Sequence, residues 1–142
     1  MAPKGPHPLL FLTLVLLAAC LAQLSEGANY RQFLNRHVDF PKSGNDRLYC
    51  NRIMQRRGLT RPVCKPTNTF VHAPANQVQA ICTYAGRCRG RNCDSNAAFS
   101  LTVCRVRPGS RPGRCVYRAT VRNRRIRVAC RQRLPVHFDR IL

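Results

Sequence analysis

The stretch "AAFSLTVCRVR" (97–107) is rich in β-branched and aromatic residues and reads as a β-strand. Three later stretches share that character: "GRCVYRATVR" (113–122), "RRIRVAC" (124–130) and "PVHFDRI" (135–141). "RPGSRPG" (107–113) separates the first two as a hairpin loop. Upstream the pattern is helical. "YRQFLNRHV" (30–38) places Phe33, Leu34 and His37 at i, i+3/i+4 spacing. "DRLYCNRIMQRR" (46–57) puts Leu48, Tyr49, Ile53 and Met54 near one stripe, with Asp46 as N-cap and Gly58 as stop. "ANQVQAIC" (75–82) reads as a short third helix. Helices first and antiparallel strands later make an α+β arrangement. With no internal repeat or low-complexity segment, one continuous domain is expected.

The first segment lies outside that domain. Lys4 supplies a positive start, Leu9 to Ala22 is a nearly unbroken apolar run, and small residues follow. This reads as a secretory signal peptide over 1–27, too short and too poorly flanked for a membrane anchor. Cleavage is expected between 22 and 28, with Cys20 or Ser25 at the −3 position. The domain is then 28–142, enough for a modest core. Removing Cys20 leaves eight of nine cysteines: Cys50, Cys64, Cys82, Cys88, Cys93, Cys104, Cys115 and Cys130. An even count in a small secreted chain reads as four disulfides, although count alone allows 105 pairings. No paired CxxC or Cys/His spacing supports zinc.

Charge is the strongest compositional signal. A formal net charge of +20 points to a polyanionic partner: nucleic acid, a heparan-type glycan or an anionic membrane surface. Composition does not choose among the three. Within this arginine-rich chain, "CKPTNTF" (64–70) places one of only three lysines beside a cysteine. A compact ammonium where arginine is the habit hints at chemistry. His37, His72 and His137 are the histidines after the leader, and each taken alone reads as an ordinary packed or surface residue. There is no Gly-x-Ser-x-Gly, no phosphate-cradling glycine loop and no carboxylate pair suited to glycoside chemistry. Two or three histidines, one unusual lysine and a basic surface suit metal-free RNA cleavage, with histidine serving as base and acid. No cofactor is expected.

The residues also carry a resemblance. "FLNRHVD" (33–39), "CNRIMQRRGLT" (50–60), "CKPTNTFVH" (64–72), "VQAIC" (78–82), "CVYRAT" (115–120), "VAC" (128–130) and "PVHFD" (135–139) run in order across the mature chain. This series resembles the pancreatic ribonuclease superfamily, most closely its angiogenin-like and leukocyte branch. The resemblance implies a ribonuclease A-like fold, with three helices, a V-shaped antiparallel sheet and a central cleft. It implies the pairing Cys50–Cys104, Cys64–Cys115, Cys82–Cys130 and Cys88–Cys93. It further implies that His37 is the base removing a ribose 2′-OH proton, His137 the acid, and Lys65 the stabiliser of the transition state. Cleavage would follow pyrimidines in single-stranded RNA or tRNA through a 2′,3′-cyclic phosphate. Thr69 and Asn68 would line the pyrimidine pocket, backbone at Phe138 would contact phosphate, and Asp139 would orient His137. Arg36, Pro66, Thr67, Arg89 and Arg105 complete the implied substrate-binding set. His72 takes a structural position in the family.

Departures from the family pattern are also legible. Arg36 stands where glutamine is common, Arg131 where digestive enzymes carry an acid, and Arg140 where angiogenins obstruct the pyrimidine pocket. The short Cys88–Cys93 loop sets the chain apart from angiogenins, which generally lack that disulfide. Weak activity is expected. Gln55, Arg56, Arg57, Gly58 and Leu59 resemble the basic segment that angiogenins use for nuclear entry, and read equally as the charged end of the second helix. The expected protein is a secreted, extracellular monomer, with granule storage and nuclear or nucleolar uptake as further readings. Its partners would be RNA, heparan-type glycans, anionic bacterial membranes and ribonuclease inhibitor. Angiogenic and antibacterial roles belong to the same expectation. Two rivals stand beside it: a membrane-disrupting antimicrobial protein and a heparin-binding signal protein with incidental catalytic groups.

Overall fold

The computed structural model describes residues 8–142, leaving aside the side chains of 22–26 and 28. Lys4, and side chains at the expected cleavage positions, therefore lie outside the described residues. Helix α1 spans Pro8–His37, so the leader and the expected helix at 30–38 form one continuous rod. Leu9, Phe11, Leu16 and neighbouring apolar side chains of the leader are exposed. Phe33, by contrast, is fully buried. Among the described residues no helix is long and apolar enough to cross a membrane.

Helix α2 covers Tyr49–Arg56 with Leu48 at its N-cap, two residues later than Asp46 suggests. Asp46 instead closes the preceding turn, its carboxylate accepting from Leu48 N at 3.3 Å and its carbonyl from Tyr49 N at 3.1 Å. Gly58 ends the helix as expected, at φ +75°, where a side chain would be strained. Helix α3 (Ala75–Gln79) passes into a 3-10 turn at Ala80–Cys82, so the expected third helix is split.

Among the described residues, seven strands form two antiparallel sheets. One has the order β1 (Thr67–Val71), β4 (Phe99–Val106), β5 (Tyr117–Arg124). The other has the order β2 (Gly86–Arg89), β3 (Asn92–Ser95), β6 (Ile126–Arg131), β7 (Leu134–Ile141). The "RPGSRPG" segment does join a hairpin, β4–β5, with Val106 paired to Tyr117. Sequence periodicity missed β1, β2 and β3. They are four or five residues long, and β2 and β3 are mostly Arg, Asn, Asp and Cys, so pairing rather than propensity makes β2 and β3 strands. The fold class is α+β.

Two apolar clusters hold the layers together. Phe33 of α1 packs with Val71, Val78, Ile81, Leu101, Ile126 and Val128, joining α1 to both sheets. Tyr49, Ile53 and Met54 of α2 pack with Leu59, Phe70 and Tyr117. Disulfides join Cys50 to Cys104, Cys64 to Cys115, Cys82 to Cys130 and Cys88 to Cys93. The first three span 54, 51 and 48 residues, each restricting the unfolded chain by about 4 kcal/mol on the chain-entropy account. For a domain with a core this small, that restraint is a large share of stability.

Candidate active site

His37 is the last residue of α1, and the carbonyls of that helix end need partners. Arg57 donates to Asn35 O at 2.6 Å and to Leu34 O at 3.3 Å. Asn35 answers by donating to Arg57 O at 3.0 Å. Asn68 of β1 donates to Arg36 O at 2.7 Å. Three successive carbonyls are thus held by Arg57, the C-cap of α2, and by β1, and the helix end cannot shift without breaking both. This decides the position of His37.

The imidazole itself is pinned as well. It is 9% exposed, set between Phe33 and Phe138 with ring centroids 5.2 Å from each. His37 Nδ1–H donates to the Thr69 carbonyl at 2.9 Å. A carbonyl can only accept, so this bond places the proton on Nδ1 and leaves Nε2 basic. Burial pushes the His37 pKa down from 6.5 to about 4, with Lys65, Arg36 and His137 adding repulsion. The Thr69 bond opposes that shift without cancelling it. At neutral pH His37 is an uncharged base.

Lys65 lies half-buried just before β1, and its Nζ donates to Asn68 Oδ1 at 2.8 Å. Burial, then the charge of Arg36, lowers its pKa. Asn68 is 2% exposed, with both ends of its amide engaged by Lys65 and Arg36. It acts as the strut between the lysine and the helix end, and it also lines the cleft beside Thr69. His137, on β7 opposite Ala129, is exposed.

These groups share one cleft of ≈ 490 Å³, which Arg36, His37, Lys65, Thr67, Asn68, Thr69, Arg105, His137, Phe138 and Asp139 line. Val103, Arg140 and Ile141 complete its wall. Pro66 and Arg89 do not line it. Pro66 serves the sheet through its carbonyl, which accepts from Val106 N at 2.9 Å. Arg89 lies in a separate depression with Arg87, Asn92, Asp94 and Arg127. Asp139 also departs from its implied role. Its carboxylate lies 3.2 Å from Arg140 Nε and 4.0 Å from Arg127, and among the described residues no hydrogen bond joins it to His137.

The segment Gln55–Leu59 divides in the same way. Gln55, Arg56 and Gly58 are exposed, but Leu59 is in the core and the Arg57 side chain is only 20% exposed. Arg57 also lies 3.6 Å from Asp39. Its anchoring of α1 was invisible in the sequence, because its partners are more than 20 residues away.

His72 is packed differently from His37. Its Nδ1–H donates to Asp39 O at 2.9 Å, and its Nε2 lies 2.8 Å from Thr102 Oγ1. Burial lowers its pKa too. His37 is neutral in the folded chain at neutral pH, and both histidines take up their proton at lower pH when folded than the value near 6.5 of the unfolded chain. The unfolded chain therefore binds more protons as pH falls from about 6.5 toward 4, and stability drops through that window. His37 alone accounts for about 3 kcal/mol between those limits. Urea midpoints at a series of pH values measure this. A midpoint independent of pH between 7 and 4 contradicts a buried, neutral His37.

Comparison with known proteins identifies the family of the chain. Residues 28–139 match the model of the family described as Pancreatic ribonuclease. A ribonuclease of Chelydra serpentina is 51% identical over 114 residues, covering 78% of this chain and 96% of that one. Angiogenin of Sus scrofa is 43% identical over 136 residues, covering 95% of this chain and 91% of that one. The crystal structure of green turtle egg white ribonuclease superposes with TM-score 0.76 at 48% identity, covering 80% of this chain and 98% of that one. A cleft that holds a neutral buried histidine against a lysine therefore sits in a chain that belongs to the pancreatic ribonuclease family, with angiogenin among its relatives.

Proposed function

We propose that this endoribonuclease cleaves single-stranded RNA after pyrimidines, with His37 as base, His137 as acid and Lys65 opposite the developing charge. The observation that carries the proposal is the Nδ1–H bond from His37 to Thr69, which leaves a neutral Nε2 beside Lys65. His37 takes the 2′-OH proton, and the 2′-oxygen attacks phosphorus. The 5′-oxygen departs with a proton from His137, leaving a 2′,3′-cyclic phosphate. Lys65 stabilises the added negative charge on the phosphoryl oxygens. Arg36 and the Phe138 backbone hold phosphate, and Thr69 reads the base. Arg140 and Ile141 share the cleft wall with Thr69 and narrow the base pocket, so turnover is low.

The leader is removed between residues 22 and 28 and the enzyme acts outside the cell, as its exposed apolar side chains and the family match from residue 28 support. A second reading has one observation behind it. Arg118, Arg122 and Arg124, at even positions along β5 and so on one face of the strand, are exposed, a surface suited to anionic membranes or sulfated glycans. As a member of this family with an angiogenin relative, the protein is also a candidate for ribonuclease inhibitor.

One experiment on protein recovered from culture medium tests the catalytic reading. A pyrimidine-containing ribodinucleotide should be cleaved in the presence of EDTA, while the deoxy analogue stays intact. The acidic limb of kcat/KM belongs to His37 in the free enzyme, near pH 4. Bound phosphate offsets the repulsion from Lys65 and Arg36, so the acidic limb of kcat should lie at higher pH. Cleavage of the deoxy analogue, or a metal requirement, would overturn the proposal.

A further inference from the structure

Strand β7 falls out of step with β6 on both sides of His137. Arg127 lies opposite Arg140 and Val128 opposite Phe138, so Asp139 has no partner across the ladder. Ala129 then faces His137 and Cys130 faces Pro135, which leaves Val136 over. Bulges of this kind re-aim side chains next to active sites. On an unbroken strand the carboxylate two residues beyond His137 would share its face. Here it is drawn to guanidinium groups instead, 3.2 Å from Arg140 and 4.0 Å from Arg127.

The two cations differ in how firmly they stand. Arg140 is the next residue along, its side chain 64% exposed, and an exposed pair of that kind contributes little. Arg127 is half-buried and gripped at two points. Its Nε donates to Asp94 Oδ1 at 2.6 Å and its Nη2 to Asp94 Oδ2 at 3.2 Å. Such a fork fixes the plane of the guanidinium. The remaining terminal nitrogen, Nη1, is the one that lies 4.0 Å from Asp139. Asp94 and Arg127 are paired across β3 and β6, so the sheet itself holds this charge in place.

The surroundings of His137 offer no other anion. The elements packed against β7 are α1, β6, α3 and the 3-10 turn, and the last two carry no charged residue. From α1 come Arg36 and His37, and Lys65 and Arg105 lie across the same cleft. β6 carries Arg127 and, at its far end, Arg131. β7 adds Arg140 and Asp139, the one carboxylate among the described residues of the cleft. A carboxylate beside an imidazole favours its protonated form, the form that an acid needs.

We propose that Arg127 is a positioning residue: held by Asp94, it keeps the Asp139 carboxylate from His137, so that the acid of the reaction works without an anionic partner. The proposal rests on the ribonuclease reading above and adds a second cause of low turnover to the narrowed base pocket. The Asp94–Arg127 pair acts on the chemistry from outside the cleft, through Asp139 alone.

Arg127→Gln keeps much of the stem and can still donate to Asp94, so the fold is retained. Its kcat/KM on a ribodinucleotide should rise about threefold or more at a pH of about 8, with the basic limb moved to higher pH, because that limb belongs to the acid. Arg87, opposite Asp94 on β2, is the control. Arg87→Gln removes the same charge from the same row and should stay within about twofold of the parent, as a screened exposed charge does. Asp139→Asn should cancel the gain, so that the double variant Arg127→Gln/Asp139→Asn matches Asp139→Asn alone. No gain in Arg127→Gln, an equal gain in Arg87→Gln, or a gain that survives Asp139→Asn overturns the proposal. Failure of the parent to cleave the dinucleotide sinks the ribonuclease reading instead. Titration of the His137 ring protons by NMR then still decides: the midpoint should move to higher pH in Arg127→Gln, and only while Asp139 is present.

Discussion

His37→Ala and His137→Ala should each lower kcat/KM on a ribodinucleotide by about a hundredfold to ten-thousandfold, the usual worth of a positioned acid or base. The two groups move protons in one displacement, so their losses should not add, and the double variant should resemble the worse single variant. The variants differ in how they disturb the fold. His137 is exposed, and its replacement removes chemistry alone. His37 is buried between two aromatic rings and bonded to Thr69, so His37→Ala also leaves a cavity and a carbonyl without its partner. Binding of an uncleavable oligonucleotide separates these effects and should change little in His137→Ala. His72→Gln is the control: it disturbs the Asp39–Thr102 cluster and lowers stability while kcat stays near the parent. If His72→Gln loses as much kcat as His137→Ala, the assignment of roles is wrong.

The parts of this structure legible in the sequence are those whose signal is local. β4, β5, β6 and β7 announce themselves through β-branched and aromatic runs, and α2 and α3 through apolar spacing. β1, which carries Asn68 and Thr69 and pairs with β4, was passed over, although "TNTFV" has the same β-branched and aromatic character over a shorter run. In the other sheet, β2 and β3 are held by a Cys88–Cys93 bridge and a turn with Gly90 at φ +61°. The helix anchors were hidden for a related reason. Arg57 reads as one basic residue in a basic run, and nothing in "QRRGL" says that it reaches Leu34 and Asn35 on another helix.

Charge shows the same limit. The sequence reveals an excess of arginine, but only the pairing map separates Arg52, Arg57 and Arg127, each tied to an aspartate, from the arginines of the β4–β5 hairpin. Asp139 is the converse case. Two residues from His137, it looks like a natural partner, yet the neighbouring strand brings Arg127 to within 4.0 Å and the next residue, Arg140, binds it at 3.2 Å. A carboxylate in so basic a surface is claimed by the nearest guanidinium groups.

Lys65→Arg should lower kcat by about a hundredfold to a thousandfold while leaving RNA binding nearly unchanged, although charge is conserved. Lys65 donates to Asn68 Oδ1 at 2.8 Å from a half-buried site, and Asn68 is itself committed to Arg36 O. A longer, planar guanidinium does not fit where a single ammonium nitrogen makes that bond, and its charge is spread over three nitrogens. Transition-state stabilisation depends on a donor at the phosphoryl oxygens, whereas binding depends on total positive charge, which the β4–β5 hairpin and Arg36 supply anyway. The loss should therefore appear in kcat rather than KM. Lys42→Arg is the matched control. Lys42 lies 5.1 Å from the centroid of the Tyr49 ring, an arrangement that arginine also makes, so its activity should equal the parent's. If Lys65→Arg and Lys42→Arg both cleave like the parent, Lys65 is a solvated cation, and the lysine in "CKPTNTF" has no catalytic meaning.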